Sequence, residues 1–437
     1  MFRLLFFLFL YFQVNTVAAQ PLYFPPVTGN VWDTISPQSL GYCQSRIDSL
    51  YAFLENNNTK AFILLKNGKI VLEKYFGTHT QNTPWQWASA GKTIMAFLVG
   101  IARQEGYLNI TDTTSSYLGK GWTNCTATQE DKITIRHQLT MTTGLDDAVA
   151  DPTCTLDTCL IYKADAGTRW AYHNAPYTLL EQVLENATGK SLNIYTNQKL
   201  KNLTGMSGSF LTFGYNRVFY SNARSMARFG LLMLNKGNWD GIQILTDTLY
   251  FNQMISTSQM LNQSYGYLWW LNGKQSYMVP TSQMVFQGPL FPNAPSDMIS
   301  AMGKGGQFLN IVPSQNLIWL RMGEDPSNVP VPFLLNNLIW NYINALPCTT
   351  THTEEQNSTN RKLDVFPNPA DDLLCVKSDI EISAIELLNL QGQLLISKNP
   401  SLNEIFIDLS KISKGTYVLK VYFSDETMQI KKISVVK

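Results

Sequence analysis

Histidine and cysteine, the residues that most often bind transition metals, are scarce in this sequence. The 437 residues include four histidines and six cysteines. The histidines form no His-Glu-x-x-His pattern and the cysteines form no pair of Cys-x-x-Cys motifs, so the sequence predicts no metal site. A Gly-x-Ser-x-Gly turn is also missing. A Ser-His-Asp hydrolase would therefore have to use a scattered histidine without a recognisable nucleophile turn.

The sequence also lacks an excess of charge of either sign. Its 33 lysine and arginine residues balance 32 aspartate and glutamate residues, which gives a formal net charge of +1. A charge this close to zero provides no electrostatic reason to expect nucleic acid or an anionic membrane surface as a partner. After the first residues, no apolar run approaches the roughly 20 residues that a membrane-spanning helix needs. We therefore expect neither a nucleic-acid partner nor an integral membrane segment.

The N-terminal sequence is typical of a secretory signal. Arg3 precedes an apolar run at residues 4–12, and the small residues Val17-Ala18-Ala19 follow. This layout predicts a signal peptide at residues 1–19, with cleavage after Ala19. A membrane anchor is disfavoured because the run is much shorter than the roughly 20 residues that span a bilayer.

An exported chain can form disulfides, and the six cysteines permit several pairings. Cys154 and Cys159 are close enough in sequence to close one loop, and Cys43 with Cys348 could join the two ends of the main domain. Cys125 is then a candidate free thiol. Sequence spacing alone leaves these pairings open.

The periodicity of apolar residues indicates a mixed fold. Residues 37–56 have helical spacing, and two strand-like runs flank Asn67-Gly68, a preferred two-residue hairpin turn. Helical patterns dominate residues 110–260, strand-like runs return later, and a last helix is predicted at residues 332–345. The pattern predicts an α/β (α+β) fold in which an antiparallel sheet, built from both chain ends, is flanked by the terminal helices and interrupted by a helical region. A groove beside this region would hold a ligand.

The composition changes after this main domain, which we place at residues 20–348. Residues 349–362 are polar and are predicted to be a linker. Residues 363–437 alternate apolar and polar residues in short runs between turns, which predicts a small β-sandwich. The alternative, a carbohydrate-binding module, is disfavoured because aromatic residues are few in this segment.

The stretch "WQWASAGKTIMAFLVG" at residues 85–100 allows two kinds of chemistry. Gly-Lys-Thr resembles the end of a phosphate-binding loop, but such a loop needs a glycine where this chain has Gln86. The alternative is Ser89 with Lys92, which share one helix face if a helix begins at Ser89. A lysine in so apolar a helix is desolvated, and its neutral form could take the serine proton. A structural interpretation, in which Ser89 caps the helix and Lys92 extends to solvent, stays open on this spacing alone.

Two later motifs strengthen the catalytic interpretation. Tyr172 and Asn174 form a Tyr-x-Asn just before a predicted helix, and Lys304-Gly305-Gly306 leads into a late strand. Each is ordinary by itself: a packed aromatic, a turn residue, a solvated charge in a glycine turn. Their order along the chain is far more specific than any of them alone.

With these motifs, the chain resembles the serine β-lactamase and penicillin-binding-protein superfamily over residues 36–347, in its class C-like branch of secreted esterases, peptidases and 6-aminohexanoate-oligomer hydrolases. The stretches "IRHQLTMTTGL" and "SMARFGLLMLNKG" also resemble family signatures. The resemblance implies Ser89 as nucleophile, Lys92 as its activator and Tyr172 as a phenolate proton shuttle.

The same resemblance implies the groups that bind the substrate. Asn174 would contact the substrate amide or hold Lys92. Lys304, in the substrate-binding motif with Gly306, would present its positive charge to Tyr172 or to a substrate carboxylate. The backbone N–H groups of Ser89 and Gln307 would form the oxyanion hole, in which each donor contributes roughly 3 to 4 kcal/mol in other hydrolases. No metal or other cofactor is implied.

Two residues depart from the family pattern. Gly305 stands where members that hydrolyse β-lactams usually have a hydroxyl residue, which weakens the expectation of antibiotic recognition. His173 replaces the small residue that is common between the tyrosine and the asparagine, and we expect it to line the pocket. The form around Lys304 is more similar to that of amide hydrolases and esterases.

The C-terminal segment resembles the sorting domain of type IX secretion, through "VFPNPADD" and "LLNLQGQLL". This implies the type IX machinery as a partner and a secreted or cell-surface location. The complete prediction is an exported serine hydrolase that forms an acyl-enzyme at Ser89 and hydrolyses an amide or ester in a small molecule, short peptide or oligoamide. Two alternatives stay open: a penicillin-recognising DD-peptidase or β-lactamase, and a catalytically silent binding protein of the same fold.

Overall fold

The computed structural model describes residues 22–325, 329–348, 362–389, 393–425 and 427–436. The predicted signal peptide lies outside these residues, as does the predicted linker apart from Lys362. The chain divides into two compact units, with the boundary after Cys348.

The first unit contains helices and strands along its whole described length. Its helices are α1 (Gln44–Asn56), α2 (Lys92–Gln104), α3 (Ser115–Leu118), α4 (Ala127–Glu130), α5 (Ile135–Leu139), α6 (Asn174–Thr178), α7 (Leu180–Thr188), α8 (Leu192–Thr196), α9 (Asn202–Thr204), α10 (Ala223–Leu234), α11 (Thr248–Met254) and α12 (Phe333–Asn344). Its strands are β1 (Thr59–Lys66), β2 (Lys69–Tyr75), β3 (Trp85–Gln86), β4 (Ser209–Phe213), β5 (Asn216–Ser221), β6 (Asn238–Trp239), β7 (Ile242–Gln243), β8 (Trp270–Leu271), β9 (Ser276–Tyr277), β10 (Phe286–Gln287), β11 (Ile299–Gly303), β12 (Gln307–Val312) and β13 (Leu317–Gly323).

The main sheet has six strands in the order β2-β1-β13-β12-β11-β8. All of its neighbouring strands pair antiparallel. The predicted hairpin joins β1 to β2, and its turn residues Asn67 and Gly68 have φ values of 50° and 83°. A two-residue hairpin of this kind requires positive φ at both positions. The predicted antiparallel sheet, built from both chain ends, is confirmed.

Both faces of this sheet are covered, since every residue of β12 and β13 is buried. Successive residues of a strand point to opposite faces. Accordingly, Ile318 lies against Gly230 of α10, whereas the ring of Trp319 contacts Trp340 of α12 with centroids 5.8 Å apart. The predicted flanking by helices is therefore present.

The two ends of the first unit meet. Phe53 of α1 stacks on Tyr342 of α12 with ring centroids 4.4 Å apart, and a disulfide joins Cys43 to Cys348. A second disulfide closes the loop between Cys154 and Cys159. Both pairings considered from the sequence are thus formed, and Cys125 is free.

Helix α2 lies at the centre of the first unit. All residues from Lys92 to Ala102 are buried, as a helix that is apolar on every side requires. Among the described residues, no helix combines the length and the apolar character needed to cross a bilayer.

The second unit is built from strands, as predicted, with a separate apolar core. Its strands are β14 (Leu363–Phe366), β15 (Leu373–Leu388), β16 (Leu394–Lys398), β17 (Leu402–Asp408), β18 (Gly415–Phe423) and β19 (Met428–Val435). The long strand β15 pairs with β14 and β17 along its first half and with β16 and β18 along its second half. Alternating buried positions such as Leu419, Val421 and Phe423 fill the core.

Candidate active site

Ser89 and Lys92 lie where the chain enters the central helix. Ser89 belongs to a 3₁₀ turn, Ala88–Gly91, and α2 begins only at Lys92, one turn later than the predicted start. Ala88 has a φ of 45°, a left-handed conformation that costs a residue other than glycine roughly 1–2 kcal/mol. Such strain often accompanies functional positions. Here it forms part of the turn that presents Ser89.

The Lys92 amine is within hydrogen-bonding distance of the serine hydroxyl, with Nζ 3.0 Å from Ser89 Oγ. Lys92 is only 5% exposed. Burial disfavours the charged ammonium and lowers the pKa of Lys92 to about 7. A substantial fraction of the amine is therefore neutral at physiological pH and can accept a proton.

Tyr172 completes a cluster around Ser89. The Ser89 side chain lies near enough to the Tyr172 hydroxyl to influence its pKa. The Tyr172 ring stacks on Trp270 at 5.6 Å between centroids and contacts Tyr265 edge-on at 6.2 Å. Burial raises the pKa of Tyr172 well above its usual range, although the Ser89 side chain opposes the rise. The resting group is thus a phenol, in contrast to the phenolate that the family resemblance implies.

Asn174 lies close in sequence to this cluster as the first residue of α6, and its backbone oxygen accepts a bond from Thr178. In the described part of the chain, no hydrogen bond joins its side chain to Lys92. The neighbouring His173 is 2% exposed, so its ring is shielded from solvent, and its place in the pocket lining stays a prediction. Its ring nitrogens lack hydrogen-bond partners among the described residues. Burial lowers the pKa of His173 to about 4, which keeps the ring neutral.

In the third motif, the glycine that packs against Ser89 is Gly303, three residues before the predicted Gly306. A Cβ atom added to Gly303 would lie 2.5 Å from Trp87 O and 2.9 Å from Ser89 N. Gly303 is therefore the glycine that lets the end of β11 approach Ser89. Gly306 instead makes room for Arg321, because a Cβ there would lie 2.3 Å from Nη1. The prediction that Gly306 faces the substrate is not supported by these contacts.

Gln307 lies on β12, one strand further from the sheet edge than Gly303. It is fully buried, and its side-chain Nε2 donates to Lys304 O at 3.0 Å and to Gly323 O at 2.6 Å. Gln307 thus supports the turn from within the core. The backbone of Gly303, which pairs with Gln307 across the hairpin, lies directly against Ser89.

Arg321 holds the same turn from the opposite side. This fully buried side chain donates from Nη1 to the carbonyl oxygens of Gly305 and Gly306 at 2.9 and 2.8 Å. Its Nε donates to Thr59 Oγ1 at 2.8 Å. Lys304 itself is exposed. The backbone of the turn is therefore held by buried hydrogen bonds from Arg321, whereas the Lys304 side chain extends into solvent.

Several residues of the site were not predicted from the sequence. The ring of Tyr177 lies 4.2 Å from Lys92 Nζ, and its position three residues after Asn174, on the same helix, was a usable signal. Trp270, Tyr265 and Arg321 come from distant strands and loops, and nothing in their local sequence marks them.

The cluster combines the Ser89 hydroxyl, the partly neutral Lys92 amine and the Tyr172 phenol. These groups can act as nucleophile, general base and general acid in acyl transfer. Over the described ranges, no group of three or more His, Cys, Asp and Glu side chains is placed to hold a metal ion.

Two family models match the chain. The model described as Beta-lactamase matches residues 58–330, and the model described as Secretion system C-terminal sorting domain matches residues 364–436. No curated protein matches the chain.

Solved structures with the same fold share little sequence with the chain. A candidate 6-aminohexanoate-dimer hydrolase from Bacillus anthracis is 20% identical with a TM-score of 0.54, over 75% of this chain and 91% of that one. A candidate β-lactamase from Bacteroides dorei is 16% identical with a TM-score of 0.56, over 70% and 99%. A penicillin-binding protein homologue from Caulobacter crescentus is 12% identical with a TM-score of 0.52, over 69% and 98%. At these identities the likeness demonstrates the fold alone.

Proposed function

We propose that this chain, which belongs to the beta-lactamase family, is an exported serine hydrolase that forms an acyl-enzyme at Ser89 and hydrolyses an amide or an ester. The family supports a hydrolase with a serine nucleophile. The observation that carries the proposal is the distance of 3.0 Å between Lys92 Nζ and Ser89 Oγ. Burial lowers the pKa of this amine to about 7.

Acylation begins when the neutral Lys92 amine accepts the proton of the Ser89 hydroxyl. Oγ forms a bond to the carbonyl carbon of the substrate, and the bond from that carbon to the leaving nitrogen or oxygen then breaks. The leaving group needs a proton. The Tyr172 phenol donates it and regains a proton from the Lys92 ammonium, so the cluster returns to its starting state.

The carbonyl oxygen becomes negative during this step, and backbone N–H groups stabilise such a charge. Ser89 N is one donor in the proposal. For the second donor we propose the N–H of Lys304, which directly follows Gly303, in place of Gln307. This choice is supported by the approach of Gly303 to Ser89 N.

Deacylation uses the same groups with water as the nucleophile. Lys92, again neutral, accepts a proton from water, and the hydroxide that forms attacks the acyl carbon. The bond between the acyl carbon and Oγ breaks, and the proton returns to Ser89. The products are a carboxylic acid and the free enzyme.

The C-terminal match to a secretion system sorting domain indicates a secreted or cell-surface protein. Within this proposal, the partner of that domain is the type IX secretion machinery. The proposal also includes the predicted signal peptide at residues 1–19, which would direct the chain across the inner membrane first.

An ester or a linear amide is favoured over a β-lactam as substrate. With Gly303 against Ser89, the position predicted for Gly305 is taken by Met302, which also offers no hydroxyl to a carboxylate. The similarity to a structure named for 6-aminohexanoate dimers makes linear oligoamides one of the classes to test. Asn174 would contact the substrate amide, and Lys304 would contact a substrate carboxylate.

The proposal is tested with purified chain and a panel of p-nitrophenyl esters, D-amino-acid amides, linear oligoamides and a chromogenic cephalosporin. The expected result is turnover of an ester or amide that disappears in Ser89→Ala. Rapid cephalosporin hydrolysis with slow ester turnover would instead identify a β-lactamase. Ligand binding that is unchanged in Ser89→Ala, with no turnover in the wild type, would identify a silent binding protein and reject the proposal.

A further inference from the structure

The surroundings of the Lys92 amine are unusual for a buried cation. Its one hydrogen-bond partner among the described residues is Ser89 Oγ, although an ammonium has three donors. Instead, Nζ lies 4.2 Å from the ring centroid of Tyr177 and 5.4 Å from that of Tyr172. Both separations are within the roughly 6 Å over which an aromatic face attracts a cation. An aromatic surface thus replaces the polar partners that a buried amine would otherwise need.

We propose that Tyr177 is a positioning residue whose ring face holds the Lys92 amine against Ser89. This inference rests on the proposed function, since it assigns Lys92 as the base. It also gives Tyr177 the part that the family resemblance allowed for Asn174, whose amide makes no bond to Lys92 among the described residues.

The ring of Tyr177 is itself held in place. Tyr177 is 7% exposed, and Gln138 Nε2 donates to the backbone oxygen of Pro176 at 2.8 Å. Gln138 is in turn fixed by Thr114, whose Oγ1 donates to Gln138 Oε1 at 3.0 Å. These bonds hold α6 from two other parts of the chain, so the ring meets the amine as a rigid surface.

The electrostatic balance at Lys92 involves groups from several elements. Ser89 influences the Tyr172 hydroxyl, the Tyr177 ring lies 4.2 Å from the amine, and Tyr265 interacts electrostatically with both tyrosines. The carboxyl of Glu181, on α7, acts on Tyr177. Burial favours the neutral amine, whereas the electron-rich ring face favours the ammonium. Removing the ring should therefore lower the pKa of Lys92 further and also loosen its geometry.

Two measurements on the full-length chain test this inference. The first is the pH titration of the Lys92 Cε resonance in protein labelled with ¹³C-lysine, assigned by its loss in Lys92→Met. The second is kcat and KM for the best substrate. The titration requires no turnover, so failure of the proposed function is distinguishable from failure of this inference.

Three variants at position 177 separate the ring from the hydroxyl. Tyr177→Phe keeps the ring, Tyr177→Leu removes it, and pentafluorophenylalanine keeps its shape but reverses its charge distribution. We expect Tyr177→Phe to retain the wild-type midpoint. For the other two, the midpoint should fall by about one pH unit and kcat by about tenfold with KM little changed, given the strength of desolvated cation–π contacts.

Tyr195→Leu is the matched control for loss of a buried tyrosine, because Tyr195 is fully buried and its hydroxyl bonds to Glu105. It should leave the Lys92 midpoint unchanged. An unchanged midpoint with pentafluorophenylalanine, or an equal loss in Tyr177→Phe and Tyr177→Leu, would overturn the inference. Since pentafluorophenylalanine preserves the packing, the test does not depend on whether Tyr177→Leu folds.

Discussion

The helical side and the sheet side of the candidate site each present a lysine, and the two differ in almost every physical respect. Lys92 is 5% exposed, bonds to Ser89 and faces aromatic rings, whereas Lys304 is exposed on a turn. Burial makes one amine a base near neutral pH. Exposure leaves the other free to reach a substrate from solvent. The comparison shows that burial or exposure, rather than residue type, determines which of two lysines can act as a base.

The largest effect should come from removing the buried amine. We expect Lys92→Met to lower kcat/KM by about 10³-fold, because general base catalysis typically contributes 10²–10⁴-fold. The fold should survive, since an apolar side chain replaces a group that is costly to desolvate. Steady-state kinetics and thermal unfolding of the same preparation measure both. Wild-type activity in a folded Lys92→Met protein would contradict the assignment of the base.

The glycines of the sheet side should separate into one that affects catalysis and one that affects stability. Gly303→Ala places a Cβ 2.5 Å from Trp87 O and 2.9 Å from Ser89 N, so kcat/KM should fall about 100-fold, comparable to the loss of an oxyanion donor. Gly306→Ala, at a φ of 78°, meets Arg321 instead and should mainly lower the melting temperature. A large loss of kcat/KM in Gly306→Ala with little loss in Gly303→Ala would instead support Gly306 as the glycine beside the substrate.

The pH dependence should reflect the helical side alone. With the pKa of Lys92 at about 7, kcat/KM should fall about tenfold per pH unit below that value, as protonation removes the base. In addition, the folded state binds fewer protons than the unfolded state between pH 7 and 10.5, so the free energy of unfolding should rise with pH in that window.

Lys92→Met is the control for the stability part of this prediction, because the rise between these pH values should become smaller in the variant. The measurements are a pH–rate profile and denaturant unfolding across the same range. If a Tyr177 variant lowers the titration midpoint of Lys92 but leaves the acid limb of the pH–rate profile unchanged, the assignment of Lys92 as the base is refuted.

The smallest effect should come from the exposed lysine. We expect Lys304→Met to raise KM by no more than about fivefold for substrates with a carboxylate, since exposed ion pairs contribute roughly 0–1 kcal/mol. Neutral esters should be unaffected. Comparing KM for paired neutral and anionic esters measures this, and the effect should decrease with added salt. A loss of kcat for neutral esters would make the two sides of the site more alike than we propose.

The helical side of the site was readily predicted because its geometry is local. The spacing of Ser89 and Lys92 within one turn determines their contact, and the apolar sequence of α2 implies the burial that lowers the amine pKa. The hairpin around Asn67 and Gly68 was likewise predictable from a turn whose backbone requirement is specific.

The sheet side was harder because a hairpin register is set by tertiary contacts. The sequence does not distinguish the roles of Gly303, Gly305 and Gly306. Only the tertiary contacts do so, because Ser89 packs against Gly303 and Arg321 packs against Gly306. The burial of His173 and the approach of the Tyr177 ring to Lys92 also depend on packing between distant segments. Such contacts leave no periodic signal in one sequence.

The central claim, an acyl-transfer nucleophile at Ser89 activated by Lys92, is tested most directly by covalent capture. The folded chain is treated with a fluorophosphonate at pH 8, and the adduct is located by peptide mass spectrometry. We predict one adduct on Ser89 that is absent in Ser89→Ala and forms at least about 100 times more slowly in Lys92→Met. Adduct at another residue, or equal labelling rates in wild type and Lys92→Met, would contradict the account.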